Sequence, residues 1–451
     1  MVLAVPPQNR ERLEEICRGY SVEMTVVGSY TGDGRLHLQY EDEVVADLSM
    51  EFLHHGIPRR TLKAVWSKPT FAEPNESVAL SSGRELAKDL LRILAHPNVR
   101  SKEDVVRLYD HEVQGGTVVK PFVGSGNDGP GDATVLRPLE VSDSWVGLAV
   151  GCGFNPAYGV IDPYAMAISA IDEAVRNVVA VGADPDRIAI LDNFCWGSPS
   201  LPDRMGGLVR ACKGCYDGAL HYATPFISGK DSLNNEYTDG VTGQQVAIPP
   251  SLLISALGYV PDIRHACTSD LKQAGNYLYV MGETGKELGG SYFYRLHGME
   301  DGSVPALAME GPATARALHQ AMIEGLVKSC HDCSEGGLAV AAAEMALGGE
   351  LGATLRLADI PVDGEDAPAD AWVLFSESNG RYLVEVRPLD VEAFEALTAD
   401  VPCARVGEVG EESLLTMVGC GGGVLFSLPV ERLRGAWRGH LNHNIVQEDA
   451  R

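Results

Sequence analysis

The sequence predicts an α+β fold, rich in α/β pattern: two consecutive mixed domains preceded by a partial copy of the second. Three observations carry that expectation. Short apolar runs alternate with stretches of helical periodicity along most of the chain. The composition turns glycine-rich from Thr117 to about Tyr259 and shifts again from about Asp262. The order strand, helix, strand, glycine-rich turn and two further strands is met twice, near the N-terminus and again from Tyr382, which is how a duplicated unit looks. At 451 residues there is room for two or three domains and a sizeable core.

In the first copy, residues 1–53, a strand is expected at Met1–Val5, a helix at about Asn9–Tyr20 and a strand at Glu23–Tyr30. A Gly-Asp-Gly turn at 32–34 leads to strands around Arg35–Tyr40 and Val44–Asp47. The second copy reads strand Tyr382–Val386, helix Asp390–Ala399, strand Ala404–Val409, then Leu414–Val418 and Val424–Leu428. Val27-Gly28 stands where Val406-Gly407 does. The second copy is preceded by residues 264–380, which complete its domain, and residues 1–53 have no such stretch before them. They are therefore expected to be the tail of a truncated domain, unable to close a core unaided; a self-contained small unit is the alternative. Residues 54–116 read as a linker and helical connection, with helices expected at Arg84–Leu94 and Lys102–Tyr109. Residues 117–261 read as the first full domain, 262–431 as the second, and 432–451 as a polar tail.

The hydrophobic fraction of 45% and charged fraction of 22% are those of a soluble globular chain. No apolar run suits a membrane span, and Met-Val-Leu-Ala-Val-Pro-Pro has no basic start for a secretion signal. A net charge of −26 argues against nucleic acid as a partner, although magnesium and backbone N–H groups can still hold a nucleotide locally. Ten cysteines without an export signal point to reduced thiols in the cytoplasm. Cys212/Cys215 and Cys330/Cys333 have C-x-x-C spacing but lie too far apart in sequence for a compact zinc ribbon.

The chemistry gathers around one stretch, Ile161 to Gly182. Asp162 suits an N-cap, Pro163 the first helical position and Gly182 the stop. Ile168, Ile171, Val175 and Val178 recur at helical spacing as a buried stripe. Glu173 and Asn177, four residues apart, share a face. A carboxylate and an amide oxygen stacked this way are hard donors suited to a magnesium ion that also holds phosphates; an exposed pair on an ordinary helix is the plainer reading. Four loops join it. Gly124-Ser-Gly-Asn-Asp-Gly-Pro-Gly-Asp-Ala133 offers backbone N–H groups to an anion and Asp132 to a cation, or is simply a flexible loop. Ile190-Leu-Asp192-Asn193 ends a strand where α/β sheets bind ligands, or caps a turn. A strand from Pro225 leads into Gly229-Lys230-Asp231-Ser232, where glycine permits a tight bend and lysine meets phosphate. Cys330-His-Asp-Cys-Ser-Glu-Gly-Gly337 opens a helix at Leu338–Leu347 whose N-terminus suits an anion, with Asp332 beside it for the metal; N-capping by Ser334 is the alternative. Phe375-Ser-Glu-Ser-Asn-Gly380 reads as a polar loop after a strand, contacting substrate or closing a hairpin.

Gly131-Asp132-Ala133, Asp172-Glu-Ala-Val-Arg-Asn177, Gly229-Lys-Asp-Ser232 and His331-Asp-Cys-Ser-Glu-Gly-Gly337, in that order, resemble the second half of phosphoribosylformylglycinamidine synthase, of the aminoimidazole ribonucleotide synthase-like ATP-binding superfamily. The resemblance spans essentially the whole chain. It implies aminoimidazole ribonucleotide synthase-like N-terminal and C-terminal domains, the N-terminal domain pairing face to face with its counterpart in an upstream half. Two pseudo-symmetric clefts result, one catalytic and one holding ATP or ADP with Mg2+. For the second site the implied metal ligands are Asp132, Glu173, Asn177 and Asp332, with Gly131, Ser334, Gly336 and Gly337 near the nucleotide. Asp192, Gly229, Lys230 and Ser232 are the implied contributors to the catalytic cleft; in shorter members an asparagine near magnesium stands at the position of Lys230. The implied reaction is ATP-dependent amidation of formylglycinamide ribonucleotide in purine biosynthesis, with ammonia from a glutaminase domain or subunit.

The departure is as informative. The family's Glu-Thr-His-Asn-His-Pro motif, source of its catalytic histidine, is missing; Gly151-Cys-Gly-Phe-Asn-Pro156 stands in its place, and no glutaminase region is recognisable. No catalytic residue is therefore assigned to this chain, which is expected to bind nucleotide and magnesium yet turn over little alone. The rivals are a non-catalytic ATP/ADP-binding scaffold subunit and a homodimeric enzyme like aminoimidazole ribonucleotide synthase or selenophosphate synthase.

Overall fold

The computed structural model describes residues 1–71, 82–109, 111–141, 143–364 and 368–439. These form two compact units, Met1–Thr61 and a much larger one from Leu62 onward.

In the first unit, helix Arg10–Gly19 precedes an antiparallel hairpin of Arg35–Tyr40 and Glu43–Ser49, with Arg35 opposite Ser49 and Tyr40 opposite Glu43 and a register shift between Leu38 and Gln39. Ser49 then caps helix Met50–His55, its hydroxyl accepting from the Phe52 N–H at 3.1 Å. Two expected strands are not formed: Met1–Val5 and Glu23–Tyr30 are irregular. No residue of 1–61 is buried, so these stretches have no packed face to hold them beside the hairpin. Strand Cys403–Gly410, the counterpart of Glu23–Tyr30, is hydrogen-bonded between Tyr277–Met281 and Gly352–Arg356.

The larger unit is built on two sheets. The first has six strands in the order Thr117–Val119, Thr134–Leu136, Gly147–Phe154, Ser251–Val260, Ile188–Cys195 and Phe226–Ser232, with only the last pair parallel. Helix Pro163–Ala180 packs on it, and helix Pro202–Tyr222 packs against that helix. The approach is close because the sequence permits it: a Cβ on Gly153 would overlap the Ala170 carbonyl oxygen and come within 2.9 Å of the Ala174 nitrogen. The strand's other face keeps Val150, Cys152 and Phe154 exposed.

The second sheet has seven strands: Val327–Asp332, Tyr382–Val386, Tyr277–Met281, Cys403–Gly410, Gly352–Arg356, Leu414–Val418 and Val424–Pro429. Helix Gly337–Gly349, apolar almost throughout, is buried against it. Helix Gly83–Leu94 belongs to this core and not to a free connection. Ser82 and Glu85 form a capping box, and Leu86, Leu90, Ile93 and Leu94 are fully buried there. Only a short helix, Glu103–Val106, forms where Lys102–Tyr109 was expected. Helix Val430–Trp437 buries Leu433, Ala436 and Trp437, so ordered core runs past residue 431, where the sequence suggested the polar tail would begin; 440–451 lie outside the described residues. Among the described residues no helix is long and apolar enough to cross a membrane.

Candidate metal centre

Helix Pro163–Ala180 starts as its sequence suggests. Asp162 caps it, accepting from the Tyr164 N–H at 2.9 Å, and Arg210 grips the same carboxylate with two bonds of 2.6 Å. Every residue from Ala165 to Ala180 is buried, because the helix lies between the first sheet, helix Pro202–Tyr222 and strand Val327–Asp332 of the second sheet. Burial on all sides forces its polar groups to find partners. Glu173 Oε2 accepts from the Phe154 N–H at 2.9 Å and from Asn155 Nδ2 at 2.8 Å, and the Asn177 amide donates to the Cys152 carbonyl at 2.8 Å. Asn155 thus braces Glu173, with Pro156 opening helix Pro156–Ile161.

Arg176, one turn from Asp172, joins the two domains. Its Nε donates to Asp172 at 2.6 Å, and its Nη1 donates to Asp332 at 3.1 Å and to the Cys333 carbonyl at 2.7 Å. Asp172 also accepts from the Tyr222 hydroxyl and the Gly380 N–H. Asp332 ends strand Val327–Asp332 and meets Asp132, whose Oδ1 accepts from the Asp332 N–H at 3.1 Å and lies 2.6 Å from His331 Nδ1. Asp132, His331 and Asp332 bring possible ligand atoms within 4.8 Å of one another.

The electrostatics are those of carboxylates crowded without enough positive charge. Burial, followed by the charges of Glu335 and Asp332, holds Glu173 well above the usual carboxylate range. Burial and the neighbouring Asp132 push Asp332 up to about 6 against the pull of Arg176. Glu335, flanked by Glu377 and Asp332, is pushed up to about 7, again with desolvation the larger cause. Asp132 Oδ2 is buried and has no hydrogen-bond partner. An orphaned carboxylate oxygen among mutually repelling carboxylates is the donor set that a hard divalent cation satisfies, so these residues fit magnesium.

The residues expected beside a nucleotide are placed differently from what their motif suggests. Gly336 and Gly337 have φ of +78° and +64°, which suits glycine, and begin helix Gly337–Gly349 without a side-chain cap from Ser334. Their N–H groups already have partners within the chain: Gly336 donates to Glu377 at 2.8 Å and Gly337 to the Ser334 carbonyl at 2.9 Å. Gly131 donates to the Pro121 carbonyl at 3.3 Å. Glu377 lies in the 375–380 stretch, which follows helix Asp370–Phe375 and not a strand. Ser376 to Asn379 are buried, and Glu377 also accepts from the Tyr158 hydroxyl at 2.5 Å. That stretch is an internal scaffold and not an exposed hairpin.

Asp192, Gly229, Lys230 and Ser232 form a second group. Gly229 to Ser232 continue strand Phe226–Ser232 instead of bending after it, and Asp192 stands opposite Gly229 on the parallel neighbour. Glycine is needed there for another reason: a Cβ would overlap the Asp192 carboxylate. Burial, with Asp231 beside it, raises Asp192. Lys230 and Ser232, on the exposed edge, are hydrogen-bonded to each other. Sequence reasoning missed Arg176, Glu335, Glu377 and the part played by His331. The spacing of Asp172 and Arg176 was the one available signal, since oppositely charged residues four apart on a helix pair.

Residues 130–260 match the N-terminal domain of AIR synthase related proteins, and residues 273–419 match the C-terminal domain. The chain belongs to the AIR synthase related family. Within it, the chain is 34% identical over 416 residues to the phosphoribosylformylglycinamidine synthase subunit PurL of Thermococcus sibiricus, covering 92% of this chain and 54% of that protein. It spans about half the length of the curated relatives it matches. The fold is similar to T. maritima PurL complexed with FGAR, with a TM-score of 0.59, 18% identity, and 77% of this chain and 53% of the other covered. T. maritima PurL complexed with ATP gives a TM-score of 0.58 at 18% identity over 78% and 52%. The likeness to phosphoribosylformylglycinamidine synthase read from four motifs is thus matched by similarity along the whole chain, and the family's two domains follow in the expected order.

Proposed function

We propose that the larger unit is the C-terminal, nucleotide-holding half of a phosphoribosylformylglycinamidine synthase, a ligase of purine biosynthesis in the cytoplasm. Asp132, Glu173, Asn177 and Asp332 hold Mg2+ with ATP or ADP at an auxiliary site. Asp192, Gly229, Lys230 and Ser232 contribute one side of the catalytic cleft, where formylglycinamide ribonucleotide is amidated with ammonia from a glutaminase partner. The observation that carries this reading is the meeting of Asp132 with Asp332, itself bonded to Arg176 of the Glu173 helix, with Asp132 Oδ2 left buried and unpaired. T. maritima PurL has been seen with ATP, ADP and FGAR, which supports the ligands. Bound magnesium would neutralise nucleotide phosphates; the chain's own part is to fix the carboxylates in a water-poor interface between two domains. Residues 1–53 are the tail of another such domain and 117–261 the nucleotide-binding domain. The exposed side of strand Gly147–Phe154, with Val150 and Phe154, is the face that pairs with the upstream half.

The test is calorimetric titration of the chain with MgADP, then an ammonia-dependent assay with and without an upstream half bearing the histidine motif. Binding is expected in the first, and turnover only when both halves are present. Full turnover by residues 1–451 alone would refute the division of labour. The scaffold reading is favoured by one observation, that the chain has no Glu-Thr-His-Asn-His-Pro string and carries Gly151-Cys-Gly-Phe-Asn-Pro156. It predicts binding without turnover even in the mixture.

A further inference from the structure

Both ring nitrogens of His331 are engaged. Nδ1 lies 2.6 Å from Asp132 Oδ1 and Nε2 lies 3.0 Å from Glu344 Oε2. Both ring nitrogens are thus committed to carboxylate oxygens of the chain itself, and neither is open to a metal while those two contacts are kept. His331 therefore lies inside the three-residue cluster with Asp132 and Asp332 without being able to serve as a ligand. Its effect falls on Asp132. Oδ1 of that carboxylate is held twice, by His331 and by the Asp332 N–H at 3.1 Å, while Oδ2 is buried with no partner. Glu344 sits on helix Gly337–Gly349, within a rigid and almost wholly buried element, so the ring is anchored from behind.

We propose that His331 is a positioning residue: braced by Glu344, it holds Asp132 Oδ1 and turns Oδ2 alone toward a divalent cation shared with Asp332. This rests on the metal-site reading above and adds a consequence for specificity. A cluster of two aspartates and a free imidazole would suit zinc, whereas withholding both imidazole nitrogens leaves oxygen donors only, the set preferred by magnesium and manganese. The geometry thus makes one histidine the reason that a site next to two cysteines, Cys330 and Cys333, is hard and not soft.

Mn2+ with ADP, bound to the full chain labelled with [15N]histidine, is the probe. Pulsed EPR of the wild-type complex is expected to show no nitrogen coupling from a directly bound histidine. Mn2+ titrations followed by EPR are expected to weaken by about 10- to 100-fold in His331→Gln, the usual loss when a group supporting a ligand is removed. Glu344→Ala should weaken binding similarly, and Glu344→Gln, which keeps an acceptor for Nε2, should weaken it less. That ordering separates positioning from a general loss of fold, and the two Glu344 variants keep the test alive if His331→Gln does not fold. A direct 15N coupling would make His331 a ligand and overturn the proposal, as would unchanged Mn2+ affinity in His331→Gln and Glu344→Ala. A wild-type chain that takes up no Mn2+ at all would instead sink the metal-site reading.

Discussion

Glu335 shows how a single side chain can report on a site before any ligand is added. Burial and two carboxylate neighbours push it up to about 7, and Asp332 up to about 6, whereas unfolded carboxyls titrate near 4. Between those values the folded chain binds protons that the unfolded chain does not. These groups therefore add stability that is fully present below about pH 4 and is lost as the pH rises through about 6 to 7. In metal-free buffer the thermal midpoint of the wild type, relative to Glu335→Gln, is expected to fall as the pH is raised from about 5 to about 8. Excess Mg2+ should flatten that difference, because a cation stabilises the ionised carboxylates. Scanning fluorimetry across the pH series checks both, and a difference that rises with pH would show that these carboxylates are not crowded. At this scale Asp132, Glu173, Asn177 and Asp332 were singled out by residue type, order and family motif, and the structure brings Asp132 and Asp332 together. Arg176, Glu335 and Glu377 were not, because their roles come from which buried charges face each other across two domains, and no spacing in the chain encodes that. The partners of the Gly336 and Gly337 amides were hidden for a related reason: the Glu377 carboxylate and the Ser334 carbonyl meet them only once the chain is folded.

Elements were legible where local pattern and tertiary demand agree. Strands Tyr382–Val386 and Leu414–Val418 have the limits their sequence suggests, and helix Pro163–Ala180 has its cap and its stop. Strand Glu23–Tyr30 has the right residues but no neighbours, and a strand without partners leaves its backbone unpaired. Helix Gly83–Leu94 was visible as a helix, while its place in the core was not, since proline-rich sequence before it suggested a linker. Leu90→Ala is expected to cost about 2–5 kcal/mol, the range for emptying a fully buried leucine site, and to lower the urea midpoint of the larger unit. A loss below about 0.5 kcal/mol would return the helix to the status of a connection. Strand Gly147–Phe154 gives the second test. Gly153→Ala must push strand Gly147–Phe154 away from the Glu173 helix and is expected to cost about 1–3 kcal/mol, together with nucleotide affinity. Gly240→Ala, where a Cβ would meet nothing within 4 Å, is the matched control and should stay within about 0.5 kcal/mol.

For the whole molecule, stability is unevenly distributed, and the division follows from burial alone. Residues 1–61 include no buried side chain; their hairpin carries Leu36, Leu38, Tyr40, Val44 and Val45 exposed. A lone two-stranded hairpin and a ten-residue helix are each marginal without a packed face. The larger unit has two extensive cores, one on one face of the seven-stranded sheet and one shared between its other face and the six-stranded sheet, and the Arg176 contacts lie where strand Val327–Asp332 meets the Glu173 helix. Amide hydrogen exchange on the intact chain should therefore separate the two units by many orders of magnitude in rate. Amides of Arg35–Ser49 are expected to exchange within seconds, because local opening there costs almost nothing. Those of Gly147–Phe154, Pro163–Ala180 and Tyr382–Val386 should exchange only by global opening. Adding MgADP should slow the second set further and leave the first unchanged, since ligand binding stabilises only what must open to release it. Strong protection of residues 1–61 in the isolated chain would mean that they close a core unaided and are not the tail of a larger domain.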